Sequence, residues 1–537
     1  MSSARKEHSA KVPRLKTPTA TSVVTGQSAQ PIQAFWLPLA LIVGLALISL
    51  MPRIQQNSIL TWSFWGAALT IVLWQLALYL RLRQVAANQP VARTIEVVLR
   101  PQHYVQATVQ LSVYIYWGYY YEPVYDHALH ILAQLLFAYA FDMLLAWTRR
   151  EKYVLGFGAF PIVFSTNLFL WFKDDWFYLQ FLLIAVGFLG KEFVRWQRDG
   201  KSTHIFNPSA FTLGLFSVIL IATHTSDLTW GQPIASTLTL APHIYLFLFC
   251  IGLVVMYFFS ITLIAGTAAA VLFGLSSIYF AVTGVPYFID SDIPAAVFLG
   301  LHLLVTDPST SPRSQLGKAI FGALYGLGVF ALYALLNALG APTFYDKLLC
   351  VPLLNLSVIG IDRLVQRIQT QSTPMVARWS NPTHMAVWAV FFIAMTATGR
   401  TDGKHTGDSL PFWEQACNEN RANACSRLLK LEATYCGDNS AWACNELGTH
   451  YAAGAIVARD AKLASAYFSM ACELRLQAGC INLLQPDAPI HSDPRALDLR
   501  LILREGGGNL LTMPERKLYL RACEHGFVFA CRASNPL

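Results

Sequence analysis

Apolar runs of roughly bilayer-crossing length, separated by short polar segments, repeat along most of the chain. A helix crosses the hydrocarbon core in about 20 apolar residues. On that measure thirteen spans are predicted, at 35–51, 60–80, 104–120, 127–147, 153–172, 176–194, 207–222, 244–259, 261–282, 294–305, 318–339, 347–361 and 384–398. Between Lys201 and Arg313 there is no Lys or Arg at all. So long a stretch without basic charge cannot be the surface of a soluble domain, and it reads as membrane interior. The expected fold is all-α: a polytopic membrane helical bundle.

The basic residues fall between spans, at Arg81 to Arg100, Arg149 to Lys152, Arg195 to Lys201, Arg313 and Arg363 to Arg378. They mark the cytoplasmic side. An odd number of crossings then puts the N-terminus in the cytoplasm and the C-terminus outside. Residues 1–32, rich in Ser, Thr, Pro and Gln, read as a disordered cytoplasmic tail. Composition agrees with a membrane protein, since 55% of residues are hydrophobic and 13% are charged. The net charge of +8 is scattered through loops rather than gathered in a patch, which excludes nucleic acid as a partner.

The cysteines divide the chain. Cys250 and Cys350 lie in apolar runs, and the other eight of the ten fall after residue 410. Such a cluster in a polar segment favours disulfides and an oxidising compartment. The eight form four copies of C-x7-C: Cys417/Cys425, Cys436/Cys444, Cys472/Cys480 and Cys523/Cys531. Residues eight apart in one helix are about 12 Å apart, too far to bond. If the pairs bond, the chain turns back between them and each bridge staples the end of one helix to the start of the next. The alternative is zinc, whose sites use C-x2-C to C-x4-C pairs. Residues 408–537, with ACELRLQAGC and ACEHGFVFAC as the closest copies, resemble the Sel-like repeats of the secreted, cysteine-rich Hcp family. The resemblance implies an α-solenoid of helix pairs that holds a protein partner, and no catalysis.

Two motifs interrupt the charge-free core. HIFNPSAF contains Asn207 and Pro208, and TDPSTSP contains Thr306, Asp307 and Pro308. Proline breaks the helix and leaves backbone groups unpaired, which a membrane tolerates only inside protein or at a watery site. Two such breaks suggest discontinuous helices that meet at a site; ordinary interfacial turns are the other reading. These motifs, with LLNLSVIGIDRL at 353–364, resemble the RnfD and NqrB family of membrane electron-transport subunits over residues 127–366. The family resemblance implies a flavin, FMN joined through phosphate to a Thr in an external loop, within a motif close to D-x-x-S/T-G-A-T. The matching loop here, 223–241, offers Asp227 and the hydroxyls of Ser236, Thr237 and Thr239, and lacks the Gly-Ala-Thr. A flavin held without a covalent bond between the broken helices is the accompanying expectation. On this reading the cofactor-binding set is Asn207, Pro208, Ser236, Thr237, Thr239, Thr306, Asp307 and Pro308.

Asp142 and His302 are the ionisable candidates for an ion or proton path. Their plainer readings are an acid paired with Arg149 and a hydrogen-bonded core histidine. His127 and His130, three apart on one helix face, suit a metal by spacing, although no second pair lies near in sequence. Haem ligation by His243 and His302 is a weaker expectation. With no Rossmann fingerprint, P-loop or iron-sulfur cysteine set, the chain needs other redox subunits or soluble donors to supply electrons. The leading expectation is a flavin-linked electron-transfer subunit in a bacterial inner membrane, with its repeats in the periplasm or outside. The alternatives are a channel or transporter on the same core, and a membrane scaffold for the repeats. Domains are placed at 1–32, 33–126, 127–366, 367–407 and 408–537.

Overall fold

The computed structural model describes residues 25–27, 35–86, 93–198, 200–289, 291–369, 380–401, 405–437, 440–474, 476–485 and 489–491. Nearly all of it is helix. The membrane part contains α1 (Trp36–Ile48), α2 (Ser58–Ala86), α3 (Pro101–Tyr120), α4 (Ala128–Arg149), α5 (Ala159–Asn167), α6 (Tyr178–Phe193) and α7 (Pro208–Ala222). It continues with α8 (Gly231–Thr237), α9 (Ile244–Phe259), α10 (Thr262–Thr283), α11 (Ala295–Leu303), α12 (Gln315–Ala338), α13 (Asp346–Gln369) and α14 (Asn381–Ala397). These helices are apolar all round, as expected where lipid or protein surrounds every face. Their ends have local causes. Pro101 and Pro208 start α3 and α7 at the first turn, where a missing N–H costs nothing. Gly284, in the left-handed conformation at φ 70°, ends α10.

Among the described residues five helices are long and apolar enough to cross a membrane, or six if the segment 231–240 and α9, bent by 101°, count as one. Five or six of the thirteen predicted spans therefore meet that measure, most of the others are shorter helices, and two depart further. Predicted span 153–172 begins as a strand, β3 (Lys152–Leu155), and holds only the nine-residue α5; predicted span 294–305 holds only the nine-residue α11. At 1.5 Å per residue each is about 14 Å long, half a membrane. β3 runs parallel to β2 (Thr94–Val97), with Ile95 opposite Tyr153. β1 (Thr25–Gln27), inside the stretch read as a disordered tail, pairs antiparallel with β2. A hairpin of β4 (Arg195–Arg198) and β5 (Lys201–His204) leads into α7.

Helix, half-helix, helix, helix occurs twice, and so do its contacts. α5 lies between α3 and α4 as α11 lies between α9 and α10; α4 packs on α6 as α10 on α12; α6 packs on α7 as α12 on α13. The two sets meet through α3 against α9 and α7 against α13. The loops that follow the half-helices emerge at opposite ends of α7. At its start Asn207 donates to Leu304 O. Beyond its end Lys173 N donates to Leu228 O and Trp230 N to Trp171 O. The chain thus still passes from one end of the bundle to the other at both places, partly as helix and partly as loop. The first end carries Arg198, Arg313 and Lys318 and is called the basic end below.

The C-terminal helices α15 (Leu410–Asn418), α16 (Ala424–Gly437), α17 (Ala441–Ala453), α18 (Ala461–Glu473) and α19 (Gln477–Leu484) stack in order. Three disulfides, Cys417–Cys425, Cys436–Cys444 and Cys472–Cys480, each tie one helix end to the next helix start, so the zinc reading falls away for these pairs. The expected fourth pair, Cys523–Cys531, lies outside the described residues. The module is docked at the end opposite the basic one. Arg427, itself buried, donates to Tyr333 Oη on α12 and to Tyr287 O, both at 2.9 Å, and Val285 joins the module's apolar core.

Candidate functional site

At the basic end the two proline motifs do meet, 97 residues apart in sequence. Asn207 caps α7 by accepting from Ser209 N at 3.1 Å and Ala210 N at 3.4 Å, while its Nδ2 donates to Leu304 O at 3.0 Å. Its own N–H donates to Asn355 Oδ1 on α13, and Asn355 Nδ2 donates to Thr310 O. Asp307 accepts from Ser309 N at 2.9 Å and Ser309 Oγ at 2.6 Å, with His204 Nε2 3.6 Å away. Thr306 Oγ1 turns back to His302 O, and Pro308 opens a single 3-10 turn. Asn207-Pro208 is thus the cap of a regular helix after a hairpin and not a break within a helix, and the polar atoms at this start and at the turn after α11 are paired across the junction. The junction is a latch, and it closes the ends of both half-structures.

The other end is built differently. α4 brings His127 and His130, and the loop after α5 brings Trp171, Lys173 and Asp174. The two imidazoles lie parallel, centroids 4.7 Å apart, and His127 stacks on Trp171 at 4.0 Å. Their nitrogens do not converge on one point. His127 Nε2 lies 3.2 Å from Asn167 Oδ1, and His130 Nε2 lies 3.4 Å from Asp174 Oδ1. The spacing that suits a metal in sequence therefore serves a ring stack. Asn167 Nδ2 donates to Gln134 Oε1 at 2.6 Å and to Val163 O at 2.8 Å. Gln134 Nε2 and Gln180 Nε2 donate back to Asn167 Oδ1 at 3.1 and 3.3 Å. His130 and then Arg53, 2.9 Å from Asp174, outweigh burial and hold that carboxyl down to about 2.

Above this network is a cavity of about 220 Å³ walled by Tyr121, His127, Trp171 and Trp230 and lined by two cations, Arg53 and Lys173, and two carboxylates, Asp126 and Asp174, of which Asp174 pairs with Arg53. Pro233 and Ile234 of α8 also line it. Lys173 Nζ sits 5.7 Å from the centroid of the Trp230 ring. A flat ring matches such walls, because aromatic faces stack. A larger groove of about 540 Å³, bounded by Gln55, Thr61, Trp62 and Trp65, opens on the outer face of α2 and has no charged lining.

The remaining predicted residues are spread out. Ser236 Oγ and Thr237 Oγ1 donate to Pro233 O at 3.2 and 2.7 Å, and Thr239 Oγ1 to Ser236 O at 2.9 Å. None of the three lines the cavity. Asp142 is not the partner of Arg149, which joins Arg150 on Glu192 at 3.2 and 2.6 Å; Asp142 instead meets Tyr153. His302 is fully buried, with Nδ1 donating to Phe298 O at 2.7 Å and the ring in the space left by Gly252. His243 stands at the N-cap of α9, nine residues before Gly252, against which the His302 ring packs. Between the half-helices the centre is filled: a Cβ on Gly300 would lie 3.1 Å from Tyr325 Oη and 3.8 Å from Phe169. Sequence reasoning missed Asn167, Trp171 and Gln180, though FSTNLFLWFKDDW breaks its helix at a polar residue as TDPSTSP does.

In the repeat module Glu414, Glu432, Glu446 and His450 gather from α15, α16 and α17, with His450 Nε2 3.3 Å from Glu432. Burial, reinforced by the charges of Glu432 and Glu446, pushes Glu414 up to about 7 against the pull of His450.

No family model matches the chain, and neither does any curated protein or any solved structure.

Proposed function

We propose that this chain is the membrane-embedded subunit of an electron-transfer assembly, similar to the RnfD and NqrB proteins, and that a flavin ring occupies the cavity beneath Trp230. The cavity itself carries this reading. Its walls are aromatic, its charged lining is balanced between Arg53, Lys173, Asp126 and Asp174, and α8, within the loop where the family's flavin is expected, supplies part of its lining. Its volume of about 220 Å³ is below the ~300–1,000 Å³ of sites that enclose a whole ligand. The residues therefore fit the ring, with a phosphate left at the mouth on the side of Lys173, since Arg53 is paired with Asp174. They do not fit a covalent ester, because Ser236, Thr237 and Thr239 turn their hydroxyls into their own helical turns.

A bound flavin supplies the electron chemistry. The protein's part is to stack the ring, offset its charge and keep water away from the centre, where Phe169, Phe298 and Tyr325 are packed. That packing weighs against a solute path and so against transport. Basic residues at one end and disulfides at the other favour a bacterial inner membrane, with the latch facing the cytoplasm and the repeats in the periplasm. There the repeats would hold a protein partner, while redox subunits or soluble donors bring electrons. The test is the visible spectrum of the protein in mild detergent, before and after acid precipitation. Flavin absorption that leaves with the supernatant is expected. A folded, colourless preparation that takes up no added flavin rules the proposal out.

A further inference from the structure

The hydrogen bonds around Asn167 decide which nitrogen of His127 carries the proton. Both Nδ2 hydrogens of Asn167 are committed, to Gln134 Oε1 and Val163 O. Its Oδ1 is therefore the atom that faces His127 Nε2, and it can only accept. Nε2 must be the N–H, which leaves Nδ1 of the neutral imidazole with a lone pair. Among the described residues nothing is bonded to Nδ1, and it is not among the sealed, unsatisfied atoms, so it opens to the cavity that His127 lines. The ring cannot swing to hide it, since its faces are held between Trp171 and His130.

We propose that His127 selects the occupant of this cavity: its Nδ1 accepts a hydrogen bond from a ring-edge N–H or O–H, so the site takes planar rings of the imide or phenol class and rejects those alkylated at that edge. Asn167 is a positioning residue, because it fixes the tautomer without reaching the ligand. A buried acceptor denied its donor loses most where water cannot replace it. The inference rests on the cavity being a ring site, as in the proposed function, and adds what the ring must carry. Lys173 and Arg53 cannot make this choice, since they donate and do not accept; Asp126 and Asp174 also line the cavity as acceptors, and His127→Phe separates their part from that of His127.

The experiment uses full-length protein in mild detergent, dialysed free of any endogenous flavin, and reads quenching of tryptophan fluorescence on titration. Trp171 and Trp230 line the cavity and report occupancy. Riboflavin is compared with N3-methylriboflavin, and 1-methyluracil with 1,3-dimethyluracil, because in both pairs methylation at N3 removes the ring's remaining N–H donor. Wild type is expected to bind the unmethylated member of a pair about tenfold more tightly, the effect of one hydrogen bond to a buried group. His127→Phe keeps the stack on Trp171, and Asn167 Oδ1 keeps Gln134 and Gln180, so it should fold and bind both members alike. Asn167→Leu, where it folds, should lose the same discrimination.

Equal binding of both members by wild type, or discrimination that survives in His127→Phe, overturns the role of His127 and leaves the flavin proposal standing. Discrimination between the uracils without binding of either flavin keeps His127 and removes the flavin. Binding of neither pair overturns both.

Discussion

The loops that follow the two half-helices begin alike and end differently. After α11 the chain spends its polar atoms on a junction: Asn207 and Asn355 take up each other and the backbone around them, and Asp307 takes Ser309 beside His204. After α5 a comparable set, Asn167, Gln134 and Gln180, is closed on three sides and leaves one histidine nitrogen toward a cavity. The difference is a matter of what replaces water. Prolines expose backbone N–H and carbonyl groups, which side-chain amides at the basic end take up. At the repeat end the break is made without proline, at Asn167, and aromatic rings fill the space. A latch and a site can thus grow from the same local problem.

Breaking the latch should have the largest effect. Asn207→Ala removes an N-cap and orphans Leu304 O in a buried place, at a cost of about 3 kcal/mol. A much lower thermal midpoint in detergent is expected; an unchanged midpoint would show that water can stand in for the amide. Second comes the repeat module, where Cys436→Ser with Cys444→Ser should cost roughly 2–3 kcal/mol. Limited proteolysis should then cut within 410–491 before it touches the membrane core.

The same module should respond to pH. Glu414 has its folded pKa raised to about 7. A raised pKa contributes stability that is complete below the unfolded value, ordinarily 4.5, and is lost as pH rises through the folded one. The raised Glu432 and His450 act in the same direction. From pH 5 to pH 8 the module should lose about 1–2 kcal/mol, after discount for the solvent access of Glu414. Glu414→Gln should flatten the profile, and a steep profile in that variant would assign the effect elsewhere. At the cavity His127→Phe should change the thermal midpoint by less than about 0.5 kcal/mol in stability terms, because no buried partner is orphaned. That contrast with Asn207→Ala is the sharpest form of the comparison. Smallest of all, alanine at Ser236, Thr237 and Thr239 together should leave the flavin content unchanged. A loss of acid-stable label in that variant would restore the covalent attachment set aside above.

Much of the architecture was legible because its signals are local. Cysteine spacing announced a turn at each of the three described pairs, and the Asn-Pro and Asp-Pro motifs, read as two helix breaks, prove to be the ordinary cap of α7 and the turn after the short α11, which the fold brings together. What was not legible depends on contacts distant in sequence. The run 153–172 is apolar enough for a span, yet Lys152 to Leu155 find a strand partner in Thr94 to Val97 and only nine residues remain helical. Arg149 lay near Asp142 in sequence, but Glu192, on the next full helix, offers better geometry to both arginines. The three hydroxyls were chosen for their residue type, and only the fold shows that a carbonyl three or four residues back has claimed each one. His127 drew notice for the wrong neighbour: its spacing pointed to His130, while its chemistry is set by Asn167, 40 residues on.

The disulfides also bear on how the chain is made. Each bridge joins cysteines only eight residues apart, at the meeting of successive helices. A loop that short closes within ~10–100 ns, far faster than residues are added during synthesis. Each of these six cysteines therefore meets its partner before the next pair has been added to the chain. The module can be locked one corner at a time, in the order of translation, with little occasion for mispairing to be repaired.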